Sequence, residues 1–296
     1  MDTTNEFTAS NASTNPEAFV SARIKNERSC EVQLQQVREK LDGLQLLVED
    51  ELAAYENAHP ETVGSLPTGL KLSVVIPVYN EEKTIARVVS RVSALPLDTE
   101  IVVVDDCSTD GTRDILKRLE EVDSVNVFYQ EENQGKGAAL RRAFNESTCE
   151  YIVVQDADLE YDPIDIPKLL VPLVNKDADI VYGSRFIGEE QQDESFIHRM
   201  GNAVLTGASN MFSGLSLTDM ETCYKAFTRE VIESVELAQN RFGIEPEITA
   251  KLARRGFRFV EVPISYDSRG YSEGKKIGVK DLFNALYCIG RYGVTD

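Results

Sequence analysis

The chain has 296 residues, of which 42% are hydrophobic, enough for one large α/β domain or two small ones. Its formal net charge of −19 opposes nonspecific binding to nucleic acid, so no nucleic-acid partner is expected. The five cysteines are scattered and lack the spacing of a zinc or disulfide framework, which predicts reduced thiols in a cytoplasmic protein.

The first 70 residues differ in composition from the rest of the chain. Residues 1–26 are rich in Asn, Thr, Ser and Ala, which predicts a disordered tail. Residues 27–58 are predicted to form an amphipathic helix, and residues 59–70, with two prolines and two glycines, a linker. The helix carries a short heptad seam at Leu34, Val37, Leu41, Leu44 and Val48. This seam fits a helix that docks on its own domain and equally a homodimer formed through the helix.

Strands and helices are predicted to alternate from residue 71 onward. Apolar runs predict strands over residues 72–78, 100–104, 125–129, 151–155 and 178–182. Helices are predicted over residues 81–94, 112–121 and 136–146, and after Asp162 and Pro163, with Asn80 as the cap of the first helix. The alternation predicts a mostly parallel sheet flanked by helices, in one domain over residues 71–296.

The pattern becomes less regular after residue 183. Residues 188–216 are polar and contain Gly and Ser, which predicts a mobile segment beside the active site. Strands over residues 223–227 and 257–264 and helices over 245–255 and 279–291 complete the chain. The last helix has an apolar stripe of Leu282, Phe283, Leu286, Tyr287 and Ile289. Such a stripe fits core packing or contact with a membrane surface.

Carboxylates follow the predicted strand over residues 151–155. Asp156 and Asp158 share one side if the backbone stays extended, and Glu160 follows two residues later. Open α/β sheets bind ligands at the carboxyl ends of their strands. Carboxylate oxygens there suit Mg2+ or Mn2+ bound to substrate phosphates. The alternative is a helix cap beside a solvated acid.

Two further loops carry groups that suit a nucleotide. Tyr79, after the first strand, can lie against a base, while an Asp after the second strand accepts hydrogen bonds from the base or ribose. Ordinary turn chemistry with Asn80 and Ser108 is the alternative. Lys136 lies between two glycines at a predicted helix start, where it can reach a diphosphate, although the spacing is not that of a Walker A loop. A plain glycine-containing turn is the alternative.

Four ordered segments resemble the signatures of family 2 inverting glycosyltransferases. They are residues 74–81, 103–112, 133–137 and 156–158. Residues 158–160 and 183–186 are similar to the dolichol-phosphate mannose synthase branch and its bacterial polyprenyl-phosphate relatives. The resemblance covers roughly residues 71 to 290. It implies a GT-A fold, a nucleotide-sugar donor and a divalent metal ion, Mg2+ or Mn2+.

The resemblance also implies roles for individual residues. Asp156 and Asp158 would face the metal ion and the diphosphate, and Glu160 stands where the synthase branch commonly has Gln, which adds a negative charge. The side chains that would face the nucleoside are Pro77, Tyr79, Glu81 and Asp106, with Asp105 as a competitor for Asp106.

The acceptor decides whether the reaction needs a base. A sugar hydroxyl must lose a proton, and Asp219 and Glu221 occupy the region where the family places an acceptor-side acid. A phosphate acceptor needs cations only. The basic candidates for an anion pocket are Arg185, His198, Arg199, Arg269, Lys275 and Lys276.

We therefore expect hexosyl transfer from a GDP- or UDP-sugar to a polyprenyl or dolichyl phosphate. A local excess of basic residues over 251–280, eight against three acidic ones, favours a phosphate acceptor. Transfer to a sugar hydroxyl in cell-surface polysaccharide synthesis is one alternative, and a noncatalytic nucleotide-sugar-binding scaffold is another. A lipid acceptor would require peripheral contact with the inner face of the membrane.

Overall fold

The computed structural model describes residues 65–188, 196–268 and 279–295. The predicted tail over residues 1–26, the predicted helix over 27–58 and most of the predicted linker over 59–70 lie outside the described residues. The first described strand begins at Lys71.

One sheet of seven strands forms in the described part of the chain. The strands are β1 (Lys71–Val78), β2 (Asp98–Asp105), β3 (Val125–Tyr129), β4 (Tyr151–Val154), β5 (Ile180–Ser184), β6 (Lys225–Thr228) and β7 (Phe259–Pro263). Their order is β3-β2-β1-β4-β6-β5-β7. Only β6 runs antiparallel to its neighbours within this described sheet, so the predicted mostly parallel sheet is confirmed.

Helices cover the sheet and connect its strands. They are α1 (Ile85–Ser93), α2 (Thr112–Leu119), α3 (Lys136–Glu146), α4 (Ile166–Val174), α5 (Phe196–Ser213), α6 (Arg229–Glu233), α7 (Ile244–Arg254) and α8 (Val279–Val294). A 3-10 turn, Pro163–Asp165, precedes α4, and the Asp162 side chain accepts a hydrogen bond from the Ile164 N–H, as expected for a cap. None of the described helices combines the length and hydrophobicity that crossing a bilayer requires.

The core lies on both faces of the central strands. Leu72, Val74, Val75, Ile76 and Val78 of β1 are all buried. Burial on both faces explains why β1 is a continuous apolar run and not an alternating one. The buried run fixes the strand, so that its carboxyl end lies beside those of β2 and β4, where the polar loops begin.

Two predictions about local structure were wrong. The first helix begins at Ile85, and Asn80 does not cap it, because this residue has a φ of 56° and its side chain bonds to another turn. The predicted mobile segment over residues 188–216 contains the regular helix α5. Leu205, Thr206 and Ser209 form its buried face, a helical spacing hidden by their mixed polarity. Residues 189–195 of that segment lie outside the described residues.

Candidate active site at the carboxyl end of the sheet

The loops after β1 and β2 are bonded to each other. The Asn80 Oδ1 accepts a hydrogen bond from the Thr109 N–H at 2.8 Å, and the Ser108 Oγ accepts one from the Asn80 N–H at 2.9 Å. Asn80 and Ser108 therefore form cross-loop bonds and no helix caps. This pairing holds Tyr79 at the rim of the site with 37% of its surface exposed, while Glu81 is half-buried and accepts a hydrogen bond from the Thr84 hydroxyl.

Asp105 is buried and has a structural role at the end of β2. Its carboxylate is fully buried and accepts a hydrogen bond from the Arg113 Nε at 2.6 Å. Arg113 also donates to the main-chain oxygen of Gln130 at 2.8 Å. These contacts connect the end of β2 to α2 and to the end of β3.

Asp106 faces the loop that precedes α3. Its carboxylate accepts hydrogen bonds from the Gln134 N–H at 2.8 Å, the Gly135 N–H at 2.7 Å and the Gln130 Nε2 at 2.6 Å. Burial raises the pKa of Asp106, and the bonds from Gln134 and Gly135 oppose this shift only in part. Asp106 is therefore nearer to the loop around Lys136 than Asp105 is, although most of its bonding capacity is used by the protein.

The glycines beside Lys136 pack closely against residues 239–241 of the chain itself. A Cβ atom added at Gly135, whose φ is 101°, would lie 2.5 Å from the Asn240 carbonyl oxygen. The same oxygen accepts a hydrogen bond from the Ala138 N–H at 3.1 Å. The backbone that approaches these glycines is thus that of the chain itself, and it occupies the first turn of α3.

Lys136 bridges two carboxylates. Its Nζ lies 2.9 Å from the Asp156 Oδ1 and 3.4 Å from the Glu245 Oε1, and the Glu245 Oε2 lies 2.6 Å from the Lys225 Nζ. Burial opposes the charge on Asp156, but Lys136 holds the pKa of that carboxyl below its usual value. Burial likewise opposes the charge on Lys136, yet Asp156 keeps the pKa of the ammonium well above its usual value.

Glu245 and Lys225 were not among the predicted site residues. They lie 69 to 109 residues from Asp156 and Lys136 in sequence, and only the fold brings the two pairs together. The available signal was an acidic pair, Glu245 and Glu247, at a predicted helix start. Glu247 has a structural role, since its carboxylate accepts hydrogen bonds from the N–H groups of Ala238 and Gln239 and forms an ion pair with Lys251.

The three carboxylates predicted to bind a metal ion contact different partners. The Asp158 Oδ1 accepts a hydrogen bond from the Glu160 N–H at 3.1 Å, and the buried Glu160 carboxylate accepts one from the Tyr266 hydroxyl at 2.8 Å. Among the described residues no three acidic, His or Cys side chains lie close enough to hold a metal ion by themselves. Asp156 and Asp158 still fit Mg2+ or Mn2+, which usually bind one or two carboxylates and take their remaining ligands from water and substrate phosphates.

Arg185, which directly follows β5, forms an ion pair with Asp219. The Arg185 Nε lies 2.7 Å from the Asp219 Oδ2, and its Nη2 lies 2.8 Å from the Asp219 Oδ1. Asp219 is fully buried, and the guanidinium carbon lies 5.0 Å from the centre of the Tyr266 ring. The carboxylate proposed as a base is therefore neutralised and held in place by a cation.

Glu221, the second candidate acid, lacks such a partner. Its Oε1 is inaccessible to water and has no hydrogen-bond partner in the described part of the chain. Burial raises the pKa of Glu221 to about 7, and the negative charge of Glu245 adds to the shift. A carboxyl group with this pKa can hold or accept a proton near neutral pH.

The predicted anion pocket is described only in part. Arg185 and Arg199 are described, and Arg199 is exposed on α5. Arg269, Lys275 and Lys276 lie outside the described residues, as does the side chain of His198. Pro77 is half-buried near the end of β1, the strand that pairs directly with β4.

The sequence of this chain is similar to those of known proteins. The family model described as "Glycosyl transferase family 2" matches residues 73–235. Dolichol-phosphate mannosyltransferase from Pyrococcus furiosus is 34% identical over 227 residues, which are 75% of this chain and 63% of that protein. This chain thus spans less than two thirds of the archaeal relative. Undecaprenyl-phosphate mannosyltransferase from Micrococcus luteus is 30% identical over 76% of this chain and 95% of that protein.

A solved structure shares the fold. Glucosyl-3-phosphoglycerate synthase from Mycobacterium tuberculosis, in complex with UDP, superimposes with a TM-score of 0.56 over 78% of this chain and 84% of that chain, at 23% identity. The α/β fold of the GT-A type expected from the sequence is confirmed by this match.

Proposed function

Given that the chain belongs to glycosyltransferase family 2, we propose that it is a metal-dependent inverting hexosyltransferase whose acceptor is a polyprenyl or dolichyl phosphate. The proposed donor is a GDP- or UDP-sugar. The observation that carries the choice of acceptor is the Arg185–Asp219 pair: it supplies an oriented cation and ties up the carboxylate that a hydroxyl acceptor would need as its base. A phosphate acceptor is already a nucleophile and requires no base.

The donor would lie between the loops after β1, β2 and β4. Tyr79 would contact the base, with Pro77, Glu81 and Asp106 around the nucleoside and Lys136 near the diphosphate. Asp156 and Asp158 would hold Mg2+ or Mn2+ together with diphosphate oxygens. When bound, the ion supplies charge neutralisation for the departing nucleoside diphosphate. In support, the structurally similar glucosyl-3-phosphoglycerate synthase was solved with UDP and Mn2+.

Two helices offer a surface for a membrane-bound acceptor. Large hydrophobic side chains are exposed on α5 at Met200, Val204, Met211 and Phe212, and on α8 at Phe283, Tyr287 and Val294. The two helices pack against each other, and their exposed hydrophobic side chains are together named here the α5/α8 face. Exposed clusters of this kind mark contact with another molecule or with a membrane.

We infer that the α5/α8 face rests on the bilayer, in the manner of an interfacial helix pair. The Thr206 hydroxyl on the buried face of α5 accepts a hydrogen bond from the Met220 N–H, next to Asp219, so α5 is joined to the segment that carries Asp219. A lipid phosphate in the headgroup region of the bilayer would then lie close to Arg185. Exposed Arg199 and Arg291 lie on the same two helices and suit the headgroup region.

A paired-acceptor assay tests the proposed function. The full chain is incubated with GDP-mannose or UDP-glucose, Mn2+ or Mg2+, and either a short polyprenyl phosphate or the matching polyprenol, which differs only by the phosphate. We expect product from the phosphate alone, and no product after removal of the metal ion. Turnover of the polyprenol or a soluble sugar, with none of the phosphate, would overturn the assignment of the acceptor.

Vesicle flotation tests the α5/α8 face. We expect the full chain to float with neutral phosphatidylcholine vesicles, and the variant Val204→Ser/Phe283→Ser to lose flotation while its affinity for the donor stays unchanged. A second copy of the chain could cover the same face, and light scattering run in parallel detects such a dimer. A dimer that becomes monomeric in this variant, without flotation of either protein, would contradict the membrane assignment.

The raised pKa of Glu221 favours one second candidate, transfer to a sugar hydroxyl. In this reaction Glu221 would take the proton of the attacking hydroxyl. The same acceptor assay distinguishes the two, because this route predicts that Glu221→Gln abolishes turnover at every pH, whereas transfer to a phosphate survives that change.

A further inference from the structure

Four alternating charges lead from the mouth of the site into the interior. The side chains of Asp156 and Lys136 are 23% and 18% exposed, those of Glu245 and Lys225 only 5% and 1%. The inner pair is rigid: Lys225 also donates to the Thr222 carbonyl oxygen and lies 4.7 Å from the centre of the Tyr182 ring. The outer pair can reorganise, because Lys136 has a long flexible stem and Asp156 borders solvent.

Asp156 therefore has a cation bound to it before any ligand arrives. The same carboxylate is one of the two groups that would hold a divalent ion in the proposed function. An ammonium at 2.9 Å and a divalent ion cannot both neutralise Asp156 without strong mutual repulsion. If Lys136 leaves Asp156, Glu245 still balances its charge, so the ammonium does not become a buried unpaired ion.

We propose that Lys136 is a displaceable counterion of Asp156, and that Glu245 is a positioning residue that keeps the ammonium at the site after a divalent ion takes its place. This inference rests on the proposed function, since it assumes a metal ion and a nucleoside diphosphate. Displacement by the ion alone leaves two cations side by side. Arrival of the diphosphate adds negative charge that Lys136 contacts next. The ion and the nucleotide thus bind cooperatively.

The experiment measures Mn2+ binding to the full chain by the electron paramagnetic resonance signal of free Mn2+, with and without UDP or GDP. We expect weak Mn2+ binding alone and about tenfold tighter binding with the nucleotide, within the ordinary range of coupling between sites. Lys136→Met removes the competing cation, so Mn2+ alone binds more tightly and the gain from the nucleotide shrinks. Lys136→Arg keeps the charge and should keep the cooperativity.

Glu245→Gln should have the opposite effect to Lys136→Met. In this variant Asp156 is the one of the two carboxylates that still pairs with Lys136. Lys136 is therefore harder to displace, and Mn2+ alone binds more weakly. Lys117→Met is the control, because it removes the same charge from an exposed, remote position and should leave all affinities unchanged.

The outcomes separate this inference from the proposed function. If the unmodified protein binds Mn2+ with a nucleotide but Lys136→Met leaves the affinity for Mn2+ alone unchanged or lower, the inference is wrong and the proposed function stands. If the unmodified protein binds no Mn2+ with either nucleotide, the metal-dependent function fails, and the inference fails with it.

Discussion

The guanidinium of Arg185 and the carboxylate of Asp219 meet in two parallel hydrogen bonds, with Asp219 fully buried. Removal of the carboxylate charge leaves the Arg185 guanidinium, whose side chain is only 12% exposed, without its counterion. We expect Asp219→Asn to reduce the free energy of unfolding by about 3–5 kcal/mol, the usual cost of breaking a buried pair. Urea denaturation measures this change, and affinity for the donor, measured under native conditions, should fall far less.

The chain contains a matched control for this prediction. Arg258 and Asp179 form the same two-bond geometry, with Nη2–Oδ1 at 2.8 Å and Nε–Oδ2 at 3.1 Å, but at the surface. The side chain of Arg258 is 56% exposed. Asp179→Asn should therefore cost less than about 1 kcal/mol. Equal losses in the two variants would show that burial does not set the cost of breaking the Arg185–Asp219 pair.

Glu221 predicts a specific dependence of stability on pH. Burial raises the pKa of Glu221 from its ordinary value of 4.5 to about 7 in the folded protein. Between these values the folded state binds a proton that the unfolded state has released, so stability falls as the pH rises. The shift corresponds to a destabilisation of roughly 3 kcal/mol, which is absent below pH 4.5 and complete above pH 7.

Glu221→Gln isolates this contribution, because an amide copies the neutral acid at every pH. The difference in unfolding free energy between the variant and the unmodified protein should be near zero at pH 4 and should favour the variant at pH 8. Urea titrations at the two pH values measure it. A difference that stays constant with pH would mean that Glu221 is ionised at both values in the folded state.

Gly137 is predicted to be required for the packing of α3. A Cβ atom there would lie 2.3 Å from the Gln239 carbonyl oxygen and 3.0 Å from that of Arg241. Gly137→Ala should therefore destabilise the protein by about 1–3 kcal/mol, as overpacking does. Gly207→Ala on α5 meets no atom within 4 Å and should instead stabilise by up to about 1 kcal/mol through helix propensity. Thermal unfolding compares them, and a loss from Gly207→Ala equal to that from Gly137→Ala would contradict the steric argument.

The sequence was a reliable guide where one element carries its own pattern. The apolar runs predicted β1 to β4 within about two residues, and the carboxylates after β4 indicated where to place the candidate site. The partners of those carboxylates were beyond reach. Nothing in the sequence near Asp156 indicates that Lys136 bonds to it, or that Glu245 shares that lysine, because these contacts depend on how α3 and α7 pack at the sheet edge.

Side-chain direction was the other source of error. The sequence predicted Asp156 and Asp158 on one side of an extended strand, with Glu160 two residues later, but β4 ends at Val154 and Leu159 has a φ of 63°. The turn removes the alternation on which the argument depended. It directs Glu160 towards the Tyr266 hydroxyl, a contact between residues that are 106 positions apart.

This geometry predicts that Asp158 and Glu160 affect metal binding unequally. Asp158→Asn should reduce Mn2+ affinity in the presence of a nucleoside diphosphate by more than about 100-fold, since it removes a ligand. Glu160→Gln should reduce it by roughly tenfold or less, because the amide oxygen still accepts the bond from Tyr266. Free Mn2+ measured by electron paramagnetic resonance compares the two, with Tyr266→Phe as the control that removes only the hydroxyl. If Glu160→Gln were as damaging as Asp158→Asn while Tyr266→Phe had no effect, Glu160 would turn from Tyr266 to the metal ion in the loaded enzyme.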